Sequence, residues 1–179
     1  MKYIFTTSST ASDLSKKLKE AKSAELQVGA TTKISVTVLA NFSTQYLVNS
    51  LYTSLIFNGI DPDIYESSFD QWEFELNNPE SETNRRNSDY TLLLLSSTRR
   101  ILNRSKNPRE FAANLKNLLI RYKEKYRGEI ILVLPESIRE GFDQTSFFYK
   151  WVKSFKKELQ QELESIVRFV DIDPLIMEF

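Results

Sequence analysis

The sequence predicts an α/β fold, a three-layer α/β/α sandwich built on a five-stranded parallel sheet. Short β-branched or apolar runs alternate with longer amphipathic segments along the 179 residues, and this alternation is typical of strand–helix–strand units. The connecting segments are long enough for the right-handed crossovers that parallel strands need. We therefore expect a flavodoxin-like sheet with the strand order 2-1-3-4-5.

The strand prediction rests on runs that are apolar over most of their length, as strands buried on both faces are. The clearest run is KISVTVLA at 33–40. The predicted strands are 33–40, 63–66, 90–95, 129–134 and 167–172.

Helical spacing of apolar residues fills the intervals between these strands. The first interval repeats leucine at Leu47, Leu51 and Leu55, and Gly59 ends the helix as a C′ glycine. In the third interval Asn107 and Pro108 form an N-cap and first helical residue. The predicted apolar stripes of the last two helices are Phe111, Leu115, Leu118, Leu119 and Tyr122, then Phe148, Trp151, Phe155, Leu159 and Leu163.

Two segments fall outside this regular pattern. Residues 1–32 are predicted to be an N-terminal extension with a leading helix at 12–26, and 33–179 to be the α/β domain. Residues 66–89 are polar and turn-rich, so we expect an ordered excursion across the end of the sheet with one helical turn.

Composition excludes several classes of function. The chain contains neither cysteine nor histidine, which removes thiolate zinc sites, cysteine nucleophiles and the Ser-His-Asp triad. Its formal net charge is +0, which argues against a nucleic-acid binder. We find no signal-peptide pattern and no apolar run long enough to span a membrane, and we expect a soluble, cytoplasmic protein without a cofactor.

A candidate ligand site follows from the strand order. Ligands of such sheets bind where the order reverses, at the carboxyl ends of strands one and three. The predicted ligand-binding residues are Asn41, Ser43, Thr44, Ser97 and Arg99. Hydroxyl groups and free N–H groups at a helix start can hold a phosphate, including a flavin phosphate. The simpler interpretation is that Asn41 or Ser43 caps the helix.

The same loops carry the candidates for catalysis. Ser43 and Ser96 are possible nucleophiles, and Asp171 at the end of the last strand is a possible partner. Without histidine, a carboxylate would have to accept the serine proton.

Charged and aromatic segments offer possible partner surfaces. The basic stretch consists of Arg99, Arg100, Arg104, Lys106 and Arg109, and it is either an anion-binding surface or a solvated helix flank balanced by acids. Phe69, Trp72 and Phe74 either face a partner or anchor the excursion to the core.

A series of motifs resembles the N-terminal domain of FkbH-like proteins, of HAD-superfamily subfamily IIIC. The motifs are LANFSTQ at 39–45, GI at 59–60, IYE at 64–66, FDQW at 69–72 and NPES at 78–81. The resemblance implies an SGNH-hydrolase-like domain. In that alignment Phe42 stands where SGNH enzymes have their serine, and Pro174 stands where they have their histidine.

The resemblance also implies a setting. In full-length relatives a C-terminal HAD domain loads a glyceryl unit onto an acyl carrier protein in polyketide-type biosynthesis. We therefore expect a non-catalytic SGNH-like module that binds an acyl carrier protein or another biosynthetic protein. The alternatives are a divergent hydrolase or acyl/glyceryl transferase that uses serine without histidine, and a domain that binds a small phosphorylated ligand.

Overall fold

A computed structural model describes residues 16, 19, 20, 23, 32–95, 101, 104, 105, 107–135 and 147–171, with the side chain of Phe148 excepted. All strands are parallel, and the sheet has the order β2-β1-β3-β4-β5. This confirms the predicted fold class. The strands are β1 (Thr32–Ala40), β2 (Ile60–Glu66), β3 (Tyr90–Leu94), β4 (Glu129–Val133) and β5 (Arg168–Val170). The helices are α1 (Gln45–Phe57), α2 (Trp72–Asn77), α3 (Glu82–Arg86), α4 (Pro108–Lys125) and α5 (Phe147–Leu163).

The strand order places the helices on two faces of the sheet. From β1 the chain moves outward in one direction to β2, and from β3 it moves in the other direction to β4 and β5. Crossovers between parallel strands are right-handed, so opposite directions of travel along the sheet place the helices on opposite faces. Helix α1 therefore lies on one face, and α4 and α5 lie on the other. The hydrophobic clusters agree with this arrangement, since α1 and the other helices pack on separate groups of strand residues.

The larger hydrophobic cluster lies between the sheet and α2, α4 and α5. Leu39, Leu93 and Leu132 contribute from three neighbouring strands, and each is fully buried. The smaller cluster lies on the α1 face, where Val36 and Val38 pack with half-buried residues of α1. The core is therefore asymmetric, with most of the apolar surface under α4 and α5.

Helix α4 follows its prediction closely. The Asn107 side chain accepts hydrogen bonds from the N–H groups of Arg109 and Glu110, at 3.1 and 3.4 Å, and Pro108 occupies the first helical turn. The predicted stripe of α4 is buried throughout. In α5, Trp151, Phe155, Leu159 and Leu163 are buried as predicted.

The predicted stripe of α1 is partly wrong. Leu47 is 42% exposed, whereas Thr53 is buried and Val48 and Leu51 pack against the α1-face cluster. Leu47 lies in the first turn of α1. The end of this helix was predicted correctly, because Gly59 follows the C-cap with a φ of +75°.

Two other elements differ from the prediction. Strand β2 begins at Ile60, three residues earlier than expected, and it includes Pro62. Proline is tolerated there because β2 is an edge strand that pairs with β1 alone. Strand β5 is shorter than expected and spans only Arg168–Val170.

The excursion from 66 to 89 forms two short helices rather than one turn. Ser81 caps α3 by accepting a hydrogen bond from the Asn84 N–H at 3.2 Å, and its hydroxyl donates to the Glu75 carbonyl at 2.6 Å. The Asn84 carboxamide donates to the carbonyls of Glu75 and Asn78, both at 2.9 Å. The NPES motif therefore shapes the corner between α2 and α3.

Within the described part of the chain, no helix is both long enough and apolar enough to cross a membrane.

Candidate functional site

The carboxyl edge of the sheet is the predicted site, and its centre lies after β1. The Asn41 N–H donates to the Leu94 carbonyl at 3.2 Å, so the backbone after β1 is tied to the end of β3. Asn41 is 2% exposed. It therefore lies below the surface of the edge rather than in an open pocket.

Thr44 has a role that the sequence did not reveal. It is the N-cap residue of α1, but its side chain makes no capping hydrogen bond. Instead, its buried hydroxyl donates to the carboxylate of Glu66 at the end of β2. The interpretation that Asn41 or Ser43 caps α1 is wrong, because Thr44 is the N-cap residue. The hydroxyl–carboxylate pair joins the start of α1 to the end of β2.

Of the predicted serine nucleophiles, the structure describes only Ser43. Its side chain is exposed and makes no hydrogen bond to any described residue. Ser96, Ser97 and Arg99 lie outside the described residues. The described geometry thus places no proton acceptor beside Ser43.

Asp171 lies at the far side of the edge. Strands β1 and β5 are separated by β3 and β4, so their ends are roughly 14 Å apart at the usual strand spacing. The Asp171 carboxylate accepts a hydrogen bond from Lys156 of α5 at 2.8 Å, and the Lys156 side chain is 9% exposed. Asp171 therefore neutralises a buried ammonium group, and it makes no hydrogen bond to Ser43.

Two interpretations of the basic stretch at 99–109 are an anion-binding surface and a solvated helix flank whose charges are balanced by acids. Arg104 pairs with Asp70 at 3.1 Å and with Glu73 at 2.7 Å. Arg109 pairs with Glu158 at 3.5 Å. These two arginines fit the second interpretation, and the other three basic residues lie outside the described residues.

The aromatic residues of the excursion divide between the two interpretations. Trp72 is 2% exposed and anchors α2 to the core, where its ring centroid lies 6.4 Å from that of Phe111. Phe69 and Phe74 are 52% and 56% exposed. Two of the three aromatic side chains are therefore largely exposed.

More exposed apolar side chains lie at the same edge. A helix that directly follows a strand of a parallel sheet begins near the carboxyl edge. Tyr46 and Leu47 lie in the first turn of α1, and Phe147 is the first residue of α5. Tyr46 and Phe147 are each 69% exposed. We name Tyr46, Leu47, Phe69 and Phe147 the carboxyl-edge rim. Sequence reasoning assigned Leu47 to the apolar stripe of α1 and did not single out Tyr46 or Phe147.

Tyr65 in β2 has a pKa shifted from its ordinary value. Burial, together with the charge and hydrogen bond of Glu75, raises the pKa of Tyr65 to about 12. The Tyr65 hydroxyl donates to the Glu75 carboxylate at 3.1 Å, and the Thr83 hydroxyl donates to it at 2.7 Å. This buried group supports the α2–α3 corner. The described residues contain no cluster of three or more metal-ligating carboxylates.

The chain is similar to known proteins in sequence and in fold. The family model of the FkbH N-terminal domain matches residues 35–139. A similar solved structure is the N-terminal part of the protein BF1531 from Bacteroides fragilis, described as containing a phosphatase domain complexed with Mg. It is 19% identical with a TM-score of 0.71, and the match covers 90% of this chain and 46% of that one. No curated protein matches the sequence.

The chain is a parallel α/β domain whose described carboxyl edge carries paired polar groups and exposed apolar side chains. Because the family model matches more than half of its residues, the chain belongs to the FkbH N-terminal domain family. It spans a little less than half the length of the solved structure that it resembles.

Proposed function

We propose that this domain is a non-catalytic, SGNH-like binding module of FkbH-type biosynthesis, and that its partner is an acyl carrier protein. The observation that carries the proposal is the carboxyl-edge rim. Large exposed apolar side chains are typical of protein-binding surfaces, and aromatic residues are enriched in such surfaces.

The polar groups at the same edge support a non-catalytic role. A serine nucleophile needs an acceptor for its proton. The Thr44 hydroxyl is buried and bonded to Glu66, and Asp171 is paired with Lys156. The two carboxylates near the edge thus have structural partners.

Phe42 supports the same conclusion. It occupies the position at which the SGNH alignment expects the nucleophile, and its half-buried ring packs against the α1-face cluster. A side chain at this position contributes to the core instead of reaching a substrate.

The solved relative suggests where the chemistry resides. That protein is described as containing a phosphatase domain, and more than half of its chain lies outside the match. In our proposal, a separate catalytic domain of an FkbH-type system acts on the cargo while this domain binds the carrier protein.

The test is a calorimetric titration of the full chain with a purified holo acyl carrier protein. We expect binding, and we expect the double variant Phe69→Ser/Phe147→Ser to weaken it by at least about tenfold, since burying two aromatic rings accounts for more than 1.4 kcal/mol. The matched control is Ile120→Ser, an exposed apolar residue of α4 at 37% exposure, which should leave the Kd unchanged. Absence of binding, or equal loss in the control, would contradict the proposal.

The enzymatic alternative has its own readout. Turnover of a generic p-nitrophenyl ester and labelling by a fluorophosphonate should both be absent. Turnover that disappears in Ser43→Ala would replace the binding proposal by a hydrolase.

A further inference from the structure

A cleft of about 580 Å³ lies between α2 and α4. Asn77 of α2 and Asn114, Asn117 and Arg121 of α4 form its walls, and Arg104 lies at one end. Buried apolar residues of α4 form its floor. Its volume is within the range of small-molecule binding sites.

The described part of the lining is polar and balanced in charge. Among the described lining residues there are two arginines, Arg104 and Arg121, and two glutamates, Glu73 and Glu110, so their formal charges cancel. Carboxylates only accept hydrogen bonds, guanidinium groups only donate them, and carboxamides do both. A ligand that complements this set must also donate and accept hydrogen bonds while carrying no net charge.

An anionic ligand fits the cleft poorly. Arg104 already binds Asp70 and Glu73 through its guanidinium group. Arg121 donates to the Asn77 carboxamide and to the Asn117 carbonyl, both at 3.3 Å. Arg104 is neutralised by carboxylates, whereas Arg121 is bonded to two neutral oxygen atoms, the Asn77 carboxamide oxygen across the cleft and the Asn117 backbone carbonyl on its own helix.

Trp72 supplies a second, independent observation. Its side chain is 2% exposed, it borders the cleft, and its indole N–H has no hydrogen-bond partner among the described residues. Buried polar groups without partners are rare in proteins. The guanidinium carbon of Arg104 lies 5.3 Å from the centroid of the Trp72 ring. After a small movement of this arginine side chain, a bound ligand would supply the acceptor that the indole N–H lacks.

From these observations we infer that the α2–α4 cleft binds a neutral, hydroxyl-rich ligand of the saccharide class. Each sugar hydroxyl both donates and accepts a hydrogen bond, as the mixed lining requires. Asn114 and Asn117 bind its hydroxyls, and Arg121 together with Asn77 closes the far end of the site. This inference does not depend on the proposed carrier-protein partner, because the cleft shares no residue with the rim.

The experiment follows the indole N–H signals by two-dimensional NMR. The chain has two tryptophans, and Trp151 of α5 serves as an internal reference because it does not line the cleft. Maltose, sucrose and chitobiose are added to about 10 mM, which fills about nine-tenths of a site with a Kd near 1 mM. We expect at least one sugar to shift the Trp72 signal in a saturable way while the Trp151 signal stays in place.

Variants locate the site. Asn114→Ala and Asn117→Ala replace exposed residues, so folding should be retained, and each should weaken the sugar Kd by about fivefold or more. Asn49→Ala, a carboxamide of α1 on the opposite face of the sheet, is the matched control and should leave the Kd unchanged. The inference is overturned if no sugar shifts Trp72, if the control weakens binding equally, or if inorganic phosphate shifts Trp72 and the sugars do not.

Discussion

The substitution Asp171→Asn distinguishes a structural carboxylate from a catalytic one. The Lys156 ammonium is almost fully buried, with a side-chain exposure of 9%, and Asp171 lies 2.8 Å from it. Removing one partner of a fully buried ion pair costs about 3–5 kcal/mol because an uncompensated charge remains. The Asp171 side chain is 37% exposed, so water reaches this pair, and we expect a smaller loss of about 1.5–3 kcal/mol.

The assay is thermal unfolding of the full chain. For a domain of this size, 1 kcal/mol corresponds to about 2–4 °C, so Asp171→Asn should lower the Tm by about 3–12 °C. The double variant Lys156→Met/Asp171→Asn should recover most of this loss, because the buried charge is then removed as well. Glu80→Gln is the control, since Glu80 pairs with Arg85 at 3.9 Å with both side chains largely exposed.

The result can refute the reasoning directly. If Asp171→Asn changes the Tm no more than Glu80→Gln does, the pair with Lys156 does not stabilise the fold. If the double variant is less stable than Asp171→Asn alone, the uncompensated ammonium is not the cause of the loss.

Three further predictions concern the fold. Ser81→Ala should lower the free energy of unfolding by about 1–2 kcal/mol in urea, because α3 loses its cap, and an unchanged midpoint would contradict this role. Gly128→Ala should lower the free energy of unfolding by about 1–3 kcal/mol, since a Cβ there would lie 2.2 Å from the Ser88 carbonyl oxygen. Gly59 has a φ of +75° and open space around it, so Gly59→Ala should lower the free energy of unfolding by only about 1–2 kcal/mol. In the same urea series, Gly59→Ala should therefore lose less stability than Gly128→Ala. Burial raises the pKa of Tyr65 and Tyr126 to about 12, above the ordinary value of 10.0. The contribution of these two hydroxyl groups to stability is therefore complete below pH 10 and is lost as the pH rises towards 12. Tyrosinate absorbance and urea midpoints, measured over the same pH range, should show this loss.

The sequence allowed most of the fold to be predicted because local signals and packing requirements agree there. The α4 stripe, the Asn107–Pro108 start and the Gly59 end each combine a conformational preference with a matching burial pattern. The parallel strand order followed from the lengths of the connections and the handedness of crossovers.

The site was harder to predict because side-chain partners depend on tertiary contacts. Nothing near Thr44 in the sequence indicates that its hydroxyl bonds to Glu66, which lies 22 residues away. The pairing of Asp171 with Lys156 depends likewise on how α5 packs beside β5. Apolar spacing alone could not separate Leu47, which is exposed, from Leu51, which packs against the core.

The FDQW and NPES motifs show a related effect. Their spacing identified the family, and their described contacts are structural: Asp70 binds Arg104, and Ser81 caps α3. Motif residues can therefore identify a family through the corner that they fold rather than through a reaction that they perform.

The central claim is that the carboxyl edge binds a protein partner instead of catalysing hydrolysis. An NMR titration of the full chain with a holo acyl carrier protein tests it most directly. We expect the backbone amide signals of Tyr46, Leu47, Phe69 and Phe147 to shift together with one Kd, while the amide signal of Ile120 stays in place. A titration that leaves these four signals unchanged at saturating carrier protein would contradict a protein-binding role for the carboxyl edge.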